Sequence, residues 1–343
     1  MPPIFACLCV ACDQGEKQVR MESSPPEAAG PTSGSPEFSA VITCYFEEKT
    51  IDEFHAKLVA ALDAIGRTYE IVLVNDGSTD GTWEKLKKLF ESDRHVHAIV
   101  DLFKNSGQQA AMTAGMCVAR GAVILLMDSD LQLDPAELPR LVAQFDKGYD
   151  IVTGFRKHRK DSLSRIVPSK LANVIMRKVS QTSLRDFGCT FKLYNAALIR
   201  GFDLGPFKIF NTPLVISKAR RIAEIPVSHY PRKHGKSGWT FRKLWTFNMD
   251  NMVNLSDRPF QMLALLCFLA ATLILLRIVV DLFSPFLVLK EVTNGLLLNT
   301  LLVSLLVTIS VLCVIGEFSI RNFVTSQRIP GYVIREKIER DTE

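Results

Sequence analysis

The sequence predicts an α/β domain built on a mostly parallel sheet with helices on both faces, followed by a C-terminal two-helix transmembrane hairpin. Three observations predict it. Short apolar, β-branched runs recur from Ser39 onward, at Ala40–Tyr45, Glu70–Asn75, Val96–Leu102 and Ala122–Met127. Segments with helical spacing lie between them: Ile51, Phe54, Leu58, Ala61, Leu62 and Ile65, then Trp83, Leu86, Leu89 and Phe90. Two long, almost uncharged stretches, Phe260–Phe283 and Gly295–Ile320, stand in the last quarter.

Strands that are apolar on both faces and alternate with helices imply a parallel sheet covered on both sides. Such sheets bind ligands beyond the carboxyl ends of their strands, so the residues just after each strand are where chemistry is expected. Each late apolar stretch exceeds the roughly 20 residues a helix needs to cross a bilayer. Arg232, Lys233, Lys236, Arg242, Lys243 and Arg258 precede the first, and Arg321, Arg328, Arg335, Lys337 and Arg340 follow the second. The connection Ser284–Asn294 carries only Lys290 and Glu291 as charges. The positive-inside rule then places the large N-terminal region and both termini in the cytoplasm, on a protein with two membrane spans.

Five regions follow. Residues 1–37 have no sustained periodicity, and Ser23–Pro36 is mainly Pro, Ser, Gly and Ala, a composition that reads as a disordered extension. Residues 38–238 form the α/β domain. Residues 239–258 make a juxtamembrane segment, in which Phe241, Leu244, Trp245, Met252 and Val253 share a helical face beside Arg242 and Lys243, as in a helix lying among lipid headgroups. Residues 259–320 hold the hairpin, and 321–343 are read as a cytoplasmic tail. The net charge of +5 over 343 residues gives no sign of a nucleic-acid partner. The eight cysteines do not form a disulfide framework, because those of the large domain face a reducing compartment.

Two strand ends carry acidic clusters. In Asn75-Asp76-Gly77-Ser78-Thr79-Asp80-Gly81-Thr82 the glycines permit a tight turn, and Asp80 or Thr82 can cap the next helix. Asp76 stands where a carboxylate can accept hydrogen bonds from a base or ribose; cap and ligand both remain open. In Asp128-Ser129-Asp130-Leu131-Gln132 a five-residue apolar strand ends in two carboxylates and an amide. Oxygen ligands of this kind suit Mg²⁺ or Mn²⁺ bridging to substrate phosphates; the alternative is a solvated acidic loop. An EF-hand is excluded by Leu133 and Pro139 at its Gly and Glu positions. Downstream, Arg156, Lys157, Arg159, Lys160, Arg165, Lys170 and Arg177 are opposed only by Asp161, a basic stretch suited to anionic lipid or to an anionic acceptor.

The order Asp76-Gly-Ser-Thr-Asp80, Asn105-x-Gly107, Asp128-x-Asp130-Leu-Gln132 resembles family 2 glycosyltransferases of the GT-A fold. Asp134-Pro135-x-Glu137, Arg156, Arg165-x-x-x-Ser169, Asp186-x-Gly188 and Arg232-x-x-Gly235-x-Ser237, with the hairpin, narrow the resemblance to polyprenyl-phosphate glycosyltransferases, over about Ala40 to Tyr332. These include dolichyl-phosphate mannose synthases, bactoprenyl glucosyltransferases and aminoarabinose-type undecaprenyl-phosphate transferases. The resemblance implies a UDP- or GDP-linked sugar donor, an undecaprenyl or dolichyl phosphate acceptor in the lipid bilayer, and inversion at the anomeric centre. It places Tyr45, Glu47, Asp76 and Asp80 in the nucleotide pocket and Asp128, Asp130 and Gln132 around Mg²⁺ or Mn²⁺, with Asp128 and Asp130 catalytic. Arg156, Arg165, Ser169 and Arg232 would hold phosphates. The sequence departs from the family at Thr43-Cys44-Tyr45-Phe46-Glu47, where relatives open Pro-x-Tyr-Asn-Glu. Gln109 stands where some relatives have His, and Gly235-Lys236-Ser237-Gly238 lacks the family's final Lys.

Two rival readings are a processive polysaccharide synthase, whose Gln-x-x-Arg-Trp motif does not occur here, and a non-catalytic membrane protein that binds nucleotide sugar or anionic lipid. A homo-oligomer stays open. Because nothing in residues 1–37 can pack a core, deleting residues 1–35 is expected to leave turnover unchanged in membranes. A large loss of rate on deletion would give that segment a role.

Overall fold

The computed structural model describes residues 35–156, 184–231, 290–326 and 329–340, together with the isolated positions 269, 272, 273 and 276. Eight strands form one sheet in the order β7-β5-β6-β4-β1-β2-β3-β8. They are β1 (Phe38–Cys44), β2 (Tyr69–Asn75), β3 (Val96–Leu102), β4 (Val123–Asp128), β5 (Ile151–Arg156), β6 (Lys192–Asn195), β7 (Ile222–Val227) and β8 (Ile334–Glu339). The sheet is mostly parallel; β6 and β8 run antiparallel to their neighbours. The four strands expected from β-branched runs are β1 to β4, contiguous in the sheet as β4-β1-β2-β3, each within two residues of its expected ends.

Alternation along these strands explains why they read as apolar throughout. On β1, β2 and β4, Ala40, Ile42, Ile71, Leu73, Leu125 and Met127 face one layer. That layer is α1 (Ile51–Asp63), α2 (Thr82–Ser92) and α4 (Leu138–Phe145), through Phe54, Leu58, Leu86 and Leu141. Val41, Val72, Val74, Ile124 and Leu126 face the other layer, where α3 (Gln108–Met116) packs with helices Ala196–Arg200 and Thr212–Lys218. Both faces are dry, so period-two polarity is absent. By the same alternation Asp128, following Leu126 by two, belongs to the α3 face, as does Thr43 after Val41.

The segment after the second apolar stretch departs from the expectation of a trailing tail. Ile334–Glu339 is β8, paired antiparallel to β3 at the sheet edge. Trp83 Nε1 donates to Glu336 Oε2 at 3.2 Å, and the Arg340 guanidinium lies 4.4 Å from the centre of the Phe90 ring. Before it runs one helix of 37 residues, Lys290–Ser326, which contains the expected second span. Among the described residues, no helix is long and apolar enough to cross a membrane. All but four positions of the first expected span, the 239–258 segment and nearly all of the 1–37 extension lie outside the described residues.

Helix α3 approaches the sheet so closely that a Cβ at Gly115 would stand 2.4 Å from Val41 Cγ1 and 2.9 Å from Val74 Cγ2. Gly115→Val is therefore expected to cost about 1–3 kcal/mol through overpacking. The check is a lower denaturant midpoint, at unchanged slope, for the detergent-solubilised protein.

Candidate active site at the carboxyl edge of the sheet

The carboxyl ends of β2, β1 and β4 lie side by side and carry the acidic clusters. After β2 the chain turns through Asn75–Ser78, closed by Ser78 N–H donating to Asn75 Oδ1 at 3.3 Å. Gly77 has φ +65°, and a Cβ there would stand 2.3 Å from the Lys104 carbonyl carbon, so both the turn and the close approach require glycine. Asp76 is buried; its Oδ1 accepts from Ser106 N–H at 2.7 Å and its Oδ2 from Gly107 N–H at 3.1 Å. Burial pushes its carboxyl up to about 6, against the pull of those two amides.

Asp128 closes β4 directly beside Thr43 of β1. Its Oδ1 accepts from Thr43 Oγ1 at 2.9 Å and from Gln108 Nε2 at 2.5 Å, and its Oδ2 accepts from Thr190 Oγ1 at 2.8 Å. Gln108 reaches it because it opens α3, on the face the strand alternation assigns to Asp128. Burial raises the Asp128 carboxyl, and the neighbouring Asp130 charge raises it further, while the three donors favour the ionised form. Asp130 is also buried, with Oδ1 accepting from Gln132 N–H at 3.1 Å. Tyr230 N–H donates to the Gln132 carbonyl at 2.8 Å, which ties this loop to the segment after β7. A cavity of about 340 Å³ opens beside it, lined by Lys57, Leu131, Leu133, Asp134, Pro135, Tyr230 and Pro231.

Both loops are held in an unusual backbone state. Phe46, after β1, has φ +59°, and Leu131, after Asp130, has φ +58°. Left-handed backbone at non-glycine residues persists only where its surroundings enforce it, and it gathers at functional sites.

The remaining expected residues divide into three groups. Tyr45 and Glu47 follow β1 at the same edge: Tyr45 is exposed and packs edge-on against Phe46 with ring centres 4.5 Å apart, and Glu47 N–H donates to Thr82 Oγ1 at 3.0 Å. Asp80 stands just before Gly81, the N-cap of α2, and accepts from Thr82 N–H at 3.2 Å and Thr82 Oγ1 at 2.6 Å. Arg156 forms a two-pronged pair with Asp186, Nε to Oδ2 at 2.7 Å and Nη2 to Oδ1 at 2.8 Å, so the fork expected to meet a phosphate meets a carboxylate here. Arg165, Ser169 and Arg232 lie outside the described residues. Sequence reasoning missed Thr43, Gln108 and Thr190. Gln108 and Thr190 each follow a glycine motif that it did single out, Asn105-x-Gly107 and Asp186-x-Gly188.

Among the described residues, no group of three or more His, Cys, Asp or Glu gathers into a metal cage. The site offers two carboxylates and an amide, all hard oxygen donors. That donor set fits Mg²⁺ or Mn²⁺, which is bound through one or two carboxylates plus substrate phosphates.

Residues 39–202 match the model of the family described as Glycosyl transferase family 2. The chain is 35% identical over 230 residues to the undecaprenyl-phosphate 4-deoxy-4-formamido-L-arabinose transferase of Salmonella paratyphi A, covering 66% of this chain and 70% of that protein. It is 36% identical over 228 residues to the protein of the same name from Edwardsiella ictaluri, again covering 66% and 70%. Among solved structures, glucosyl-3-phosphoglycerate synthase from Mycobacterium tuberculosis, in complex with Mn²⁺, UDP and glucosyl-3-phosphoglycerate, is similar with TM-score 0.46 at 15% identity, over 63% of this chain and 77% of that one.

Asp76 generates a pH test. Its folded carboxyl keeps a proton up to about pH 6, whereas the ordinary value is 3.8, so stability from this group falls as pH rises between those values. For a ligand that donates to Asp76, as the family resemblance implies, binding runs the other way, because only the ionised carboxylate is a pure acceptor. Binding of uridine or guanosine, which carry no phosphate to titrate in this range, should weaken as pH drops through about 6, and Asp76→Asn should bind weakly with no such step. Titration calorimetry between pH 5 and 8 checks both.

Proposed function

The chain belongs to glycosyl transferase family 2 and is a glycosyltransferase; from that premise we propose that it transfers a sugar from a UDP- or GDP-linked donor to a polyprenyl phosphate. The carrying observation is that Asp76, Asp128 and Asp130 stand at the same edge of the sheet, at the carboxyl ends of β2 and β4, the two strands that flank β1. The names of the Salmonella and Edwardsiella relatives, both undecaprenyl-phosphate transferases, support a lipid-phosphate acceptor.

On this reading Asp76, with Tyr45, Glu47 and Asp80 nearby, receives the nucleoside, and Asp128, Asp130 and Gln132 hold Mg²⁺ or Mn²⁺. When bound, the cation neutralises charge developing on the departing diphosphate. An oxygen of the lipid phosphate attacks the anomeric carbon as the bond to the donor's β-phosphate oxygen breaks on the opposite face, which inverts that centre. The nucleophile has a second pKa near 6 by analogy with phosphoserine, so it is already ionised at neutral pH and needs no strong base. The protein's work is then positioning and electrostatics. Thr43, Gln108 and Thr190 hold Asp128 in place. Arg156, Arg165, Ser169 and Arg232 are assigned to the acceptor phosphate by the family pattern, and Arg156 is held by Asp186.

The acceptor lives in a bilayer, and residues 259–320 are read as a hairpin that meets it there, with the catalytic domain and both termini in the cytoplasm. What supports this is the helix Lys290–Ser326, about 55 Å long at 1.5 Å per residue, with Leu297, Val303, Ile309, Leu312 and Phe318 exposed on different sides of it. A helix apolar around its circumference suits lipid better than water.

Asp130→Asn keeps the shape and removes a charge. Turnover should fall by roughly 10²–10³, about 3–4 kcal/mol, as for loss of one electrostatic contact to a developing charge. Folding should survive, since the substitution relieves repulsion with Asp128. EDTA should abolish wild-type transfer from labelled nucleotide sugars to undecaprenyl phosphate, and Mg²⁺ or Mn²⁺ should restore it. Full activity in EDTA, together with an unimpaired Asp130→Asn protein, would remove the metal from this reading.

A further inference from the structure

We propose that Arg335, on the edge strand that follows the long C-terminal helix, is a positioning residue for the nucleotide-sugar subsite, acting through Asp101 and Asn75 on the turn that carries Asp76. The inference rests on the proposed function, and it assigns a part of the donor site to a strand that lies 234 residues beyond Asp101 in sequence.

The connection is continuous. Arg335 Nε donates to Asp101 Oδ2 at 2.5 Å, and Nη2 donates to the same oxygen. Asp101 is completely buried near the end of β3, and its other oxygen, Oδ1, accepts from Asn75 Nδ2 at 2.7 Å. That bond fixes which way the buried Asn75 amide faces. Its oxygen is thereby turned toward Ser78 N–H, the bond that closes the turn around Asp76 and Gly77. Ser78 Oγ in turn accepts from Phe46 N–H at 3.0 Å, which links the turn to the loop carrying Tyr45 and Glu47.

Strand pairing does not need this side chain. The β8 backbone is held by its ladder to β3, by Phe103 N–H donating to the Val333 carbonyl at 3.0 Å, and by Trp83 and Arg340. The guanidinium does something else: it is the cation beside a wholly buried carboxylate. Without it, the Asp101 carboxylate draws in water or turns toward another donor, since a buried unpaired charge is unfavourable. Either change alters the acceptor that pins the Asn75 amide. The predicted consequence is a looser donor turn on an intact sheet.

The test uses the full chain in detergent or membranes, with UDP and GDP as binding probes. Arg335→Gln should weaken the nucleoside diphosphate Kd and raise the donor KM by roughly tenfold, the scale of one hydrogen bond to a charged group, while kcat changes little. Arg335→Lys, which keeps a charge but not the fork, should fall between Arg335→Gln and wild type. Lys337→Ala, an exposed change on the same strand, should leave both constants as they are. If Arg335→Gln does not fold, Arg335→Lys decides: wild-type Kd and KM in that protein overturn the inference. They also overturn it if found in a folded Arg335→Gln protein, or if a loss of thermal stability is the only change. Wild-type protein that binds neither UDP nor GDP would overturn the proposed function and this inference with it, whereas binding that is present but indifferent to Arg335 overturns the inference alone.

Discussion

Negative charge buried at the carboxyl edge of the sheet is the constraint around which the rest of the domain is arranged. Asp76, Asp101 and Asp186 are buried, and Asp128 is half-buried. An ionised carboxylate taken out of water without partners costs several kcal/mol, so each one must recruit donors. The donors come from far along the chain. Asp76 takes the amides of Ser106 and Gly107, and Asp128 takes Thr43, Gln108 and Thr190. Asp101 takes Arg335, and Asp186 takes Arg156 with the Gly188 amide. Loops that would otherwise be independent are thereby tied to one another at the place where substrate is proposed to bind.

What was legible in the sequence follows from the range of each interaction. The central strands could be read because burial on both faces leaves continuous apolar runs, and the strand ends because a carboxylate after such a run is conspicuous. The partners of those carboxylates are a different matter. Thr190 lies 62 residues from Asp128 and Arg335 lies 234 from Asp101, and no local pattern joins them. The strand β8 was hidden for a related reason. Ile334-Arg335-Glu336-Lys337-Ile338-Glu339 sits at an exposed edge, where charge is tolerated and even useful against edge-to-edge association, so it reads as a solvated tail. Arg156 was recognisable as a forked donor, but the sequence did not identify its partner as Asp186.

The position of β8 also bears on what the catalytic domain is. Its backbone ladder to β3 closes one edge of the sheet, and Gly331 N–H donates to the Pro206 carbonyl at 2.7 Å just before it. The domain is therefore discontinuous in sequence: a piece of its sheet is supplied only after the chain has passed through 259–320. A protein cut ahead of Phe260 loses residues 260–320 and β8 together, so poor activity in it would not isolate a membrane role. On the proposed reading, anchoring and donor-site integrity are covalently joined through the segment 329–340.

The two strand-end carboxylates proposed for substrate differ in one respect that suits them to different tasks. Asp76 is held by backbone amides in the loop after β3, which cannot turn away without moving that loop. Asp128 is held by three side chains, two hydroxyls and an amide, each of which can rotate about its own bonds. A carboxylate that must meet one base or ribose in a fixed geometry is served by rigid donors. One that must exchange its partners when a cation and diphosphate arrive is served by donors that yield. On the proposed reading this is why burial raises both carboxyls, yet their surroundings divide them into a fixed acceptor and an exchangeable one.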